Sequence, residues 1–121
     1  MDSQAAVYVA GGTTVAGAAL RRRLAARGAW LVGDPADEPD YSNREEVRQF
    51  FARVQPAYVY VTAGKSAGIA GNQRVPADLM RDNLDVAAHL LPAAVEAGVR
   101  KLLYLATSCV YPKHAPQPIL I

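Results

Sequence analysis

The chain opens on a short apolar run, Ala5 to Ala10, which gives way at once to the glycine-rich stretch Gly11-Gly12-Thr13-Thr14-Val15-Ala16-Gly17. A β-prone run, a tight turn and then a four-residue apolar spacing predict strand, turn and helix. In that helix Val15, Ala19, Leu20 and Leu24 form the apolar stripe, while Arg21, Arg22, Arg23 and Arg27 crowd the C-terminal half as a solvated face. Gly28 predicts the stop, and Trp30-Leu31-Val32 a second buried strand closed by Gly33-Asp34-Pro35.

A Pro/Asp-rich loop, Pro35 to Asp40, precedes Ser42-Asn43-Arg44-Glu45, which has the form of a capping box. Val47, Phe50, Phe51 and Val54 then mark one face of an amphipathic helix. Tyr58 to Ala63 is nearly all apolar or β-branched, as a parallel strand covered on both faces should be. A loop of small residues, Gly64 to Gly71, leads to a long helix over Ala77 to Ala97, with Val86, Ala87, Leu90, Leu91 and Ala94 on its apolar side. Pro92 removes one amide there and predicts a kink, and Gly98 ends the helix. Lys101 to Thr107 is the fourth strand, and the tail from Cys109 onward carries three prolines without a helical period.

Four strands alternating with three helices, each connection long enough for a crossover, predict an α/β fold with a doubly wound parallel sheet. The expected strand order is 3-2-1-4, half of a Rossmann fold truncated after about four strands. No internal repeat or second domain is visible, so residues 1–121 are expected to be one unit.

Composition narrows the function classes. With 121 residues, 51% hydrophobic and 20% charged, the chain fits one core. Thirteen Lys and Arg against eleven Asp and Glu leave a net charge of +2, too balanced for a dedicated nucleic-acid binder. No apolar run approaches the ~20 residues that span a bilayer, and Met1-Asp2-Ser3-Gln4 lacks the basic start of a signal peptide, so no membrane partner and a cytoplasmic location are expected. The single cysteine, Cys109, cannot close an internal disulfide, and His89 and His114 stand too far apart for a structural zinc spacing. Each histidine reads as a surface, packing or loop residue, and no metal site is expected.

Gly11 and Gly17 match the outer glycines of the G-x-x-G-x-x-G variant of the dinucleotide fingerprint, with Thr14 at the middle position. Gly11 permits the tight turn, Gly17 lets helix and strand approach closely, and the helix N-terminus favours a pyrophosphate through its free amides and dipole. Such a turn also serves packing alone. Asp34, at the end of the second strand, stands where an acidic side chain holds the adenosine ribose and favours NAD over NADP; with Pro35 it equally makes a plain turn. Thr107, Ser108 and Cys109 follow the fourth strand, at the sheet edge where open α/β folds bind ligands, which makes them catalytic candidates. A cap for the hydroxyls and burial for the thiol are the alternatives.

Together the turn VAGGTTVAG, the segment AGKSAGIAGNQRVPAD over residues 63–78, Asn83 and KLLYLATSCVYPKHAPQP over residues 101–118 resemble the GDP-L-fucose synthases. These are extended short-chain dehydrogenase/reductases that epimerise and then reduce GDP-4-keto-6-deoxymannose. The resemblance runs the length of this chain and covers about the first third of such enzymes.

The resemblance implies that Thr107 hydrogen-bonds the substrate 4-keto oxygen and that Cys109 is the epimerisation acid/base. It implies a nicotinamide cofactor held by Gly11, Thr14, Gly17, Asp34, Asp40, Ala63 and Gly64, with Asp40 at the adenine ring and Ala63 and Gly64 against the dinucleotide. The family favours NADP and often has an arginine where Asp34 stands, so NADP and NAD both remain open. The family's Tyr-x-x-x-Lys pair has no counterpart, since no tyrosine here has a lysine four residues later, and the chain alone is expected to be inactive. A nucleotide sugar is the expected ligand if a C-terminal part completes the site. The alternative is a noncatalytic module that binds nucleotide or oligomerises. The apolar fourth strand and the Pro118-Ile119-Leu120-Ile121 end predict a homo-oligomer or a complementary chain.

Overall fold

The computed structural model describes residues 5–107, 110–112, 114–116 and 118. Four parallel strands, β1 (Val7–Ala10), β2 (Leu31–Val32), β3 (Tyr58–Val61) and β4 (Lys101–Tyr104), form one sheet. The helices are α1 (Val15–Ala25), a short 3-10 turn (Pro35–Asp37), α2 (Arg44–Val54), α3 (Gly68–Arg74) and α4 (Pro76–Glu96).

The α/β parallel sheet agrees with the sequence pattern, but the strand order is β2-β1-β3-β4 instead of the expected 3-2-1-4. Strand β3 does not extend the sheet beyond β2; it crosses over β1 and pairs with it along all four residues, Val7 with Tyr58 through Ala10 with Val61. The physical reason lies in the strands themselves. β2 is only two residues long and half-buried, a poor template for a further strand, whereas the continuous apolar run of β3 suits an interior position. Trp30, read from the sequence as part of a buried strand, is 59% exposed just before this short edge.

Reversing direction after β2 places α1 on one face and α2 with α4 on the other, as right-handed crossovers require. Side-chain alternation sorts the core accordingly. Val7 and Val9 meet Leu24 and Leu20 of α1. Tyr8, Ala10, Val59 and Val61 pack with Val47, Phe50 and Phe51 of α2 and Val86, Leu90, Ala93 and Ala94 of α4. Tyr8 sits 4.9 Å from the Phe50 ring and edge-on to Phe51 at 5.8 Å, the geometry that aromatic quadrupoles prefer. The α1 stripe is narrower than its sequence period suggests. Val15 is 92% exposed and Ala19 also faces solvent, because the helix touches the sheet along Gly17, Leu20 and Leu24.

Local signals set the helix ends. The N-cap of α2 is Asn43, not Ser42: Asn43 Oδ1 accepts from the amides of Glu45 and Glu46 at 3.1 and 3.3 Å. Ser42 instead turns back to Asp40, and Glu46 reaches past the N-cap to the Asp40 amide at 3.1 Å, so the reciprocal capping box does not form: the Asn43 amide donates to Asp40 O. Helix α4 continues through Pro92, which lies on its exposed side. It closes with Gly98 at φ +73°, where Val99 N donates to Ala94 O and Gly98 N to Val95 O. Within the loop of small residues, Gly68–Arg74 is helical, an element the sequence pattern does not announce. No helix among the described residues is long and apolar enough to cross a membrane.

Candidate functional site

In this topology the chain leaves β1 toward β2 and leaves β3 toward β4, in opposite directions, so a crevice opens beyond the carboxyl ends of β1 and β3. The crevice is a groove of about 610 Å³. Its floor is Gly11 and Thr14; one wall is Pro39 to Ser42, and the other is Ala63 to Lys65 with Arg81, Asp82, Asp85 and Val86 of α4.

The glycine-rich turn is built for close approach. Gly11 has φ +78°, and a Cβ there would lie 2.5 Å from Ala63 N. A Cβ on Gly17 would overlap the Gly11 carbonyl oxygen and Thr62 Oγ1, at 2.1 and 2.6 Å. Glycine is therefore required at both ends of the turn on steric grounds. Thr14, at the middle position, is the N-cap of α1: its Oγ1 accepts from Gly17 N at 3.0 Å and donates to Gly11 O at 2.8 Å. Its hydroxyl thus faces the turn. No acidic residue occupies the first turn of α1, which leaves its positive end open to an anion.

The walls are pinned by polar contacts. Thr62 Oγ1 donates to Ala10 O at 2.8 Å, tying the end of β3 to the end of β1. Asn83 of α4 holds the next stretch through both sides of one residue, accepting from Lys65 N and donating to Lys65 O, each at 2.9 Å, with a third bond to Leu79 O. Lys65 Nζ reaches Asp82 at 2.7 Å across the rim. That contact raises the lysine pKa and, with help from Arg81, lowers that of Asp82. Asp40 accepts from both the amide and the hydroxyl of Ser42, which holds its carboxyl below the usual carboxylate range. On the same wall, Tyr41 is half-buried with its hydroxyl 2.8 Å from that of fully buried Tyr8 and donating to Glu38. Burial keeps both phenols protonated by pushing their pKa values well up.

Of the residues singled out in the sequence, Gly11, Thr14, Asp40, Ala63 and Gly64 come together around this groove, and Gly17 lies beneath its floor. Asp34 does not line it; its Oδ1 accepts from Ala36 N at 2.9 Å and caps the 3-10 turn, the plain-turn alternative. Thr107 lies exposed three residues past β4 and outside the groove lining, and Cys109 lies outside the described residues. His89 Nδ1 is 2.7 Å from Tyr41 O and steadies the wall; His114 is exposed in the tail. Glu38, Tyr41, Thr62 and Asn83 escape sequence reasoning as site residues. Glu38 resembles any solvating acid of a loop, and Thr62 any β-branched strand residue.

A glycine turn between a central strand and an open helix N-terminus, at a reversal point of a parallel sheet, defines the dinucleotide-binding class of α/β folds. Comparison narrows this further: residues 7–120 match the model of the NAD dependent epimerase/dehydratase family, and the chain belongs to that family. It is 40% identical over 119 residues to GDP-L-fucose synthase 1 of Arabidopsis thaliana, covering 98% of this chain and 37% of the plant protein. It is 38% identical over 118 residues to GDP-L-fucose synthase of Escherichia coli K12, covering 97% and 37%. Among solved structures, a GDP-D-glycero-L-gluco-heptose synthase of Campylobacter jejuni in the presence of NADPH superposes with a TM-score of 0.90 at 30% identity, over 99% of this chain and 35% of that one. A GDP-mannoheptose C4 reductase of the same organism with NADP bound gives 0.90 and 30%, over 99% and 38%. The chain thus spans a little over a third of the length of these relatives.

Proposed function

We propose that this chain is the nicotinamide-dinucleotide-binding part of a nucleotide-sugar epimerase/reductase of the GDP-L-fucose synthase type. The observation that carries the reading is the groove itself. Gly11 and Gly17 admit no side chain, Thr14 caps an open helix end above them, and Asp40, Ala63 and Gly64 wall the same space. NADP(H) is the favoured cofactor. Asp34 Oδ1 accepts from Ala36 N and the residue does not line the groove. The two solved relatives described above were studied with NADPH or NADP, which supports the same choice.

In this reading Thr107 hydrogen-bonds the sugar 4-keto oxygen, Cys109 exchanges protons next to the keto group, and the tyrosine/lysine pair comes from beyond these 121 residues. The GDP-4-keto-6-deoxy sugar then binds only when a C-terminal part completes the site. The test is reconstitution: the chain is mixed with the remaining part of the Escherichia coli relative, and NADPH oxidation is followed with that sugar nucleotide. Turnover that Thr107→Val lowers by roughly a hundredfold or more supports the reading. A mixture that binds NADPH without turnover favours the noncatalytic module.

Partner association belongs to the same reading. Helix α1 covers only the β1 and β2 side of its face, leaving Tyr58, Tyr60, Lys101 and Leu103 around an open depression of about 340 Å³. Leu103 of β4 and Leu105 just beyond it, on the same side of the chain as this depression, are 45% and 51% exposed. A second copy or a complementary chain covers this surface; a clean monomer by light scattering at high concentration contradicts that.

A further inference from the structure

The peptide between Gly11 and Gly12 is gripped from both sides. Its carbonyl, Gly11 O, accepts from Thr14 N at 2.9 Å and from Thr14 Oγ1 at 2.8 Å, with Thr62 Oγ1, whose proton goes to Ala10 O, 3.1 Å away. Its amide, Gly12 N, donates to Glu38 Oε1 at 2.6 Å, and the neighbouring Gly11 N donates to Glu38 Oε2 at 3.0 Å. Two successive amides turned to one point make an anion seat, and here the protein's own carboxylate fills it.

Glu38 is held in turn. Tyr41 donates its hydroxyl to Oε2 at 3.1 Å, so Tyr41 must accept from Tyr8 at 2.8 Å, because each phenol has one proton and a carboxylate only accepts. The row from buried Tyr8 through Tyr41 thus donates in one direction and ends on the Glu38 carboxylate, which the glycine amides meet from the other side. On the far side the Tyr41 carbonyl takes the Nδ1 proton of His89 from α4.

We propose that Glu38 is a positioning residue for the diphosphate of the bound dinucleotide. Glycine on both sides leaves this peptide plane freer to rotate than any other in the turn. A flip would bring the Gly11 oxygen against the Glu38 carboxylate and take it away from Thr14, on which the start of α1 hangs. Glu38 holds the plane in the one orientation that seats the helix end. Because the carboxylate already occupies the Gly11 and Gly12 amides, the diphosphate is left to the first turn of α1, whose placement then sets its affinity.

This inference rests on the dinucleotide reading and is tested so that the two fail differently. NMR titrations of the chain with ADP and with adenosine compare wild type, Glu38→Gln and Tyr41→Phe. The glutamine amide turns a donor toward one of the two glycine N–H groups. ADP affinity is expected to fall about tenfold in Glu38→Gln and about threefold in Tyr41→Phe, while adenosine affinity stays within about twofold in both. Equal losses for both ligands mean general collapse of the groove and overturn the proposal; so does unchanged ADP affinity. If Glu38→Gln does not fold, Tyr41→Phe alone decides by the same criteria. Wild-type protein that binds neither ligand overturns the dinucleotide reading as well.

Discussion

At the scale of single residues, the turn after β1 works by exclusion of atoms. Gly17 lets the first turn of α1 rest on the Gly11 carbonyl, and a Cβ 2.1 Å from that oxygen cannot be absorbed without moving the helix. Gly17→Ala is expected to destabilise the fold by about 1–3 kcal/mol, measured by urea unfolding, and to weaken cofactor binding beyond that loss. The outer glycines were legible because their sterics are local, fixed by φ and a single close approach. Glu38 and Thr62 were not, because each acts on backbone far along the chain, Glu38 on Gly11 and Gly12 and Thr62 on Ala10; Asn83 entered only through the family resemblance, without its hold on Lys65. No spacing rule marks a side chain whose partner is a distant main-chain atom. Asp34 shows the converse, since its position suggests a ribose ligand while its carboxylate serves a neighbour two residues away.

At the scale of elements, periodicity located the strands and the main helices, and polar side chains then decided their ends and order. Helix α2 was plain from Val47, Phe50 and Phe51, which are buried in one cluster with Tyr8. Its start moved by one residue because Asn43, unlike Ser42, reaches two first-turn amides at once. The sheet order was misjudged because pairing partners are long-range facts, and the shortness of β2 becomes visible only when its hydrogen bonds form. Between β3 and α4, the loop holding Ala63 to Lys65 depends on one helix side chain. Asn83→Ala should remove three hydrogen bonds, raise amide exchange at Lys65 by at least about tenfold and leave exchange in β1 unchanged. Equal exchange at Lys65 in the two proteins would show that the loop holds itself.

At the scale of the whole molecule, two crossovers in opposite directions put a groove at the carboxyl ends of β1 and β3 and leave part of one face open. Hydrogen bonds and ion pairs at the groove wall and on α2 favour the ionised carboxylates. Asp40 is lowered by Ser42, Asp82 by Lys65 and Arg81, and Glu45 by Arg48 and Gln49 to about 2. Carboxyl groups depressed in the folded state stabilise it above their ordinary values and lose that contribution as pH falls through the depressed ones. The thermal midpoint should therefore be level from about pH 7 to 5 and decline below about 4 toward 2; a midpoint that rises on acidification contradicts these contacts. The central claim is that the groove holds a nicotinamide dinucleotide. Calorimetric titration with NADPH and NADH addresses it most directly, since Trp30 stands at the amino end of the exposed edge strand and is a poor reporter of a ligand at the carboxyl ends. Saturable one-to-one binding in the micromolar range, lost in Gly17→Ala and at least as tight for NADPH as for NADH, is the predicted result. No heat with either cofactor at millimolar concentration would contradict it.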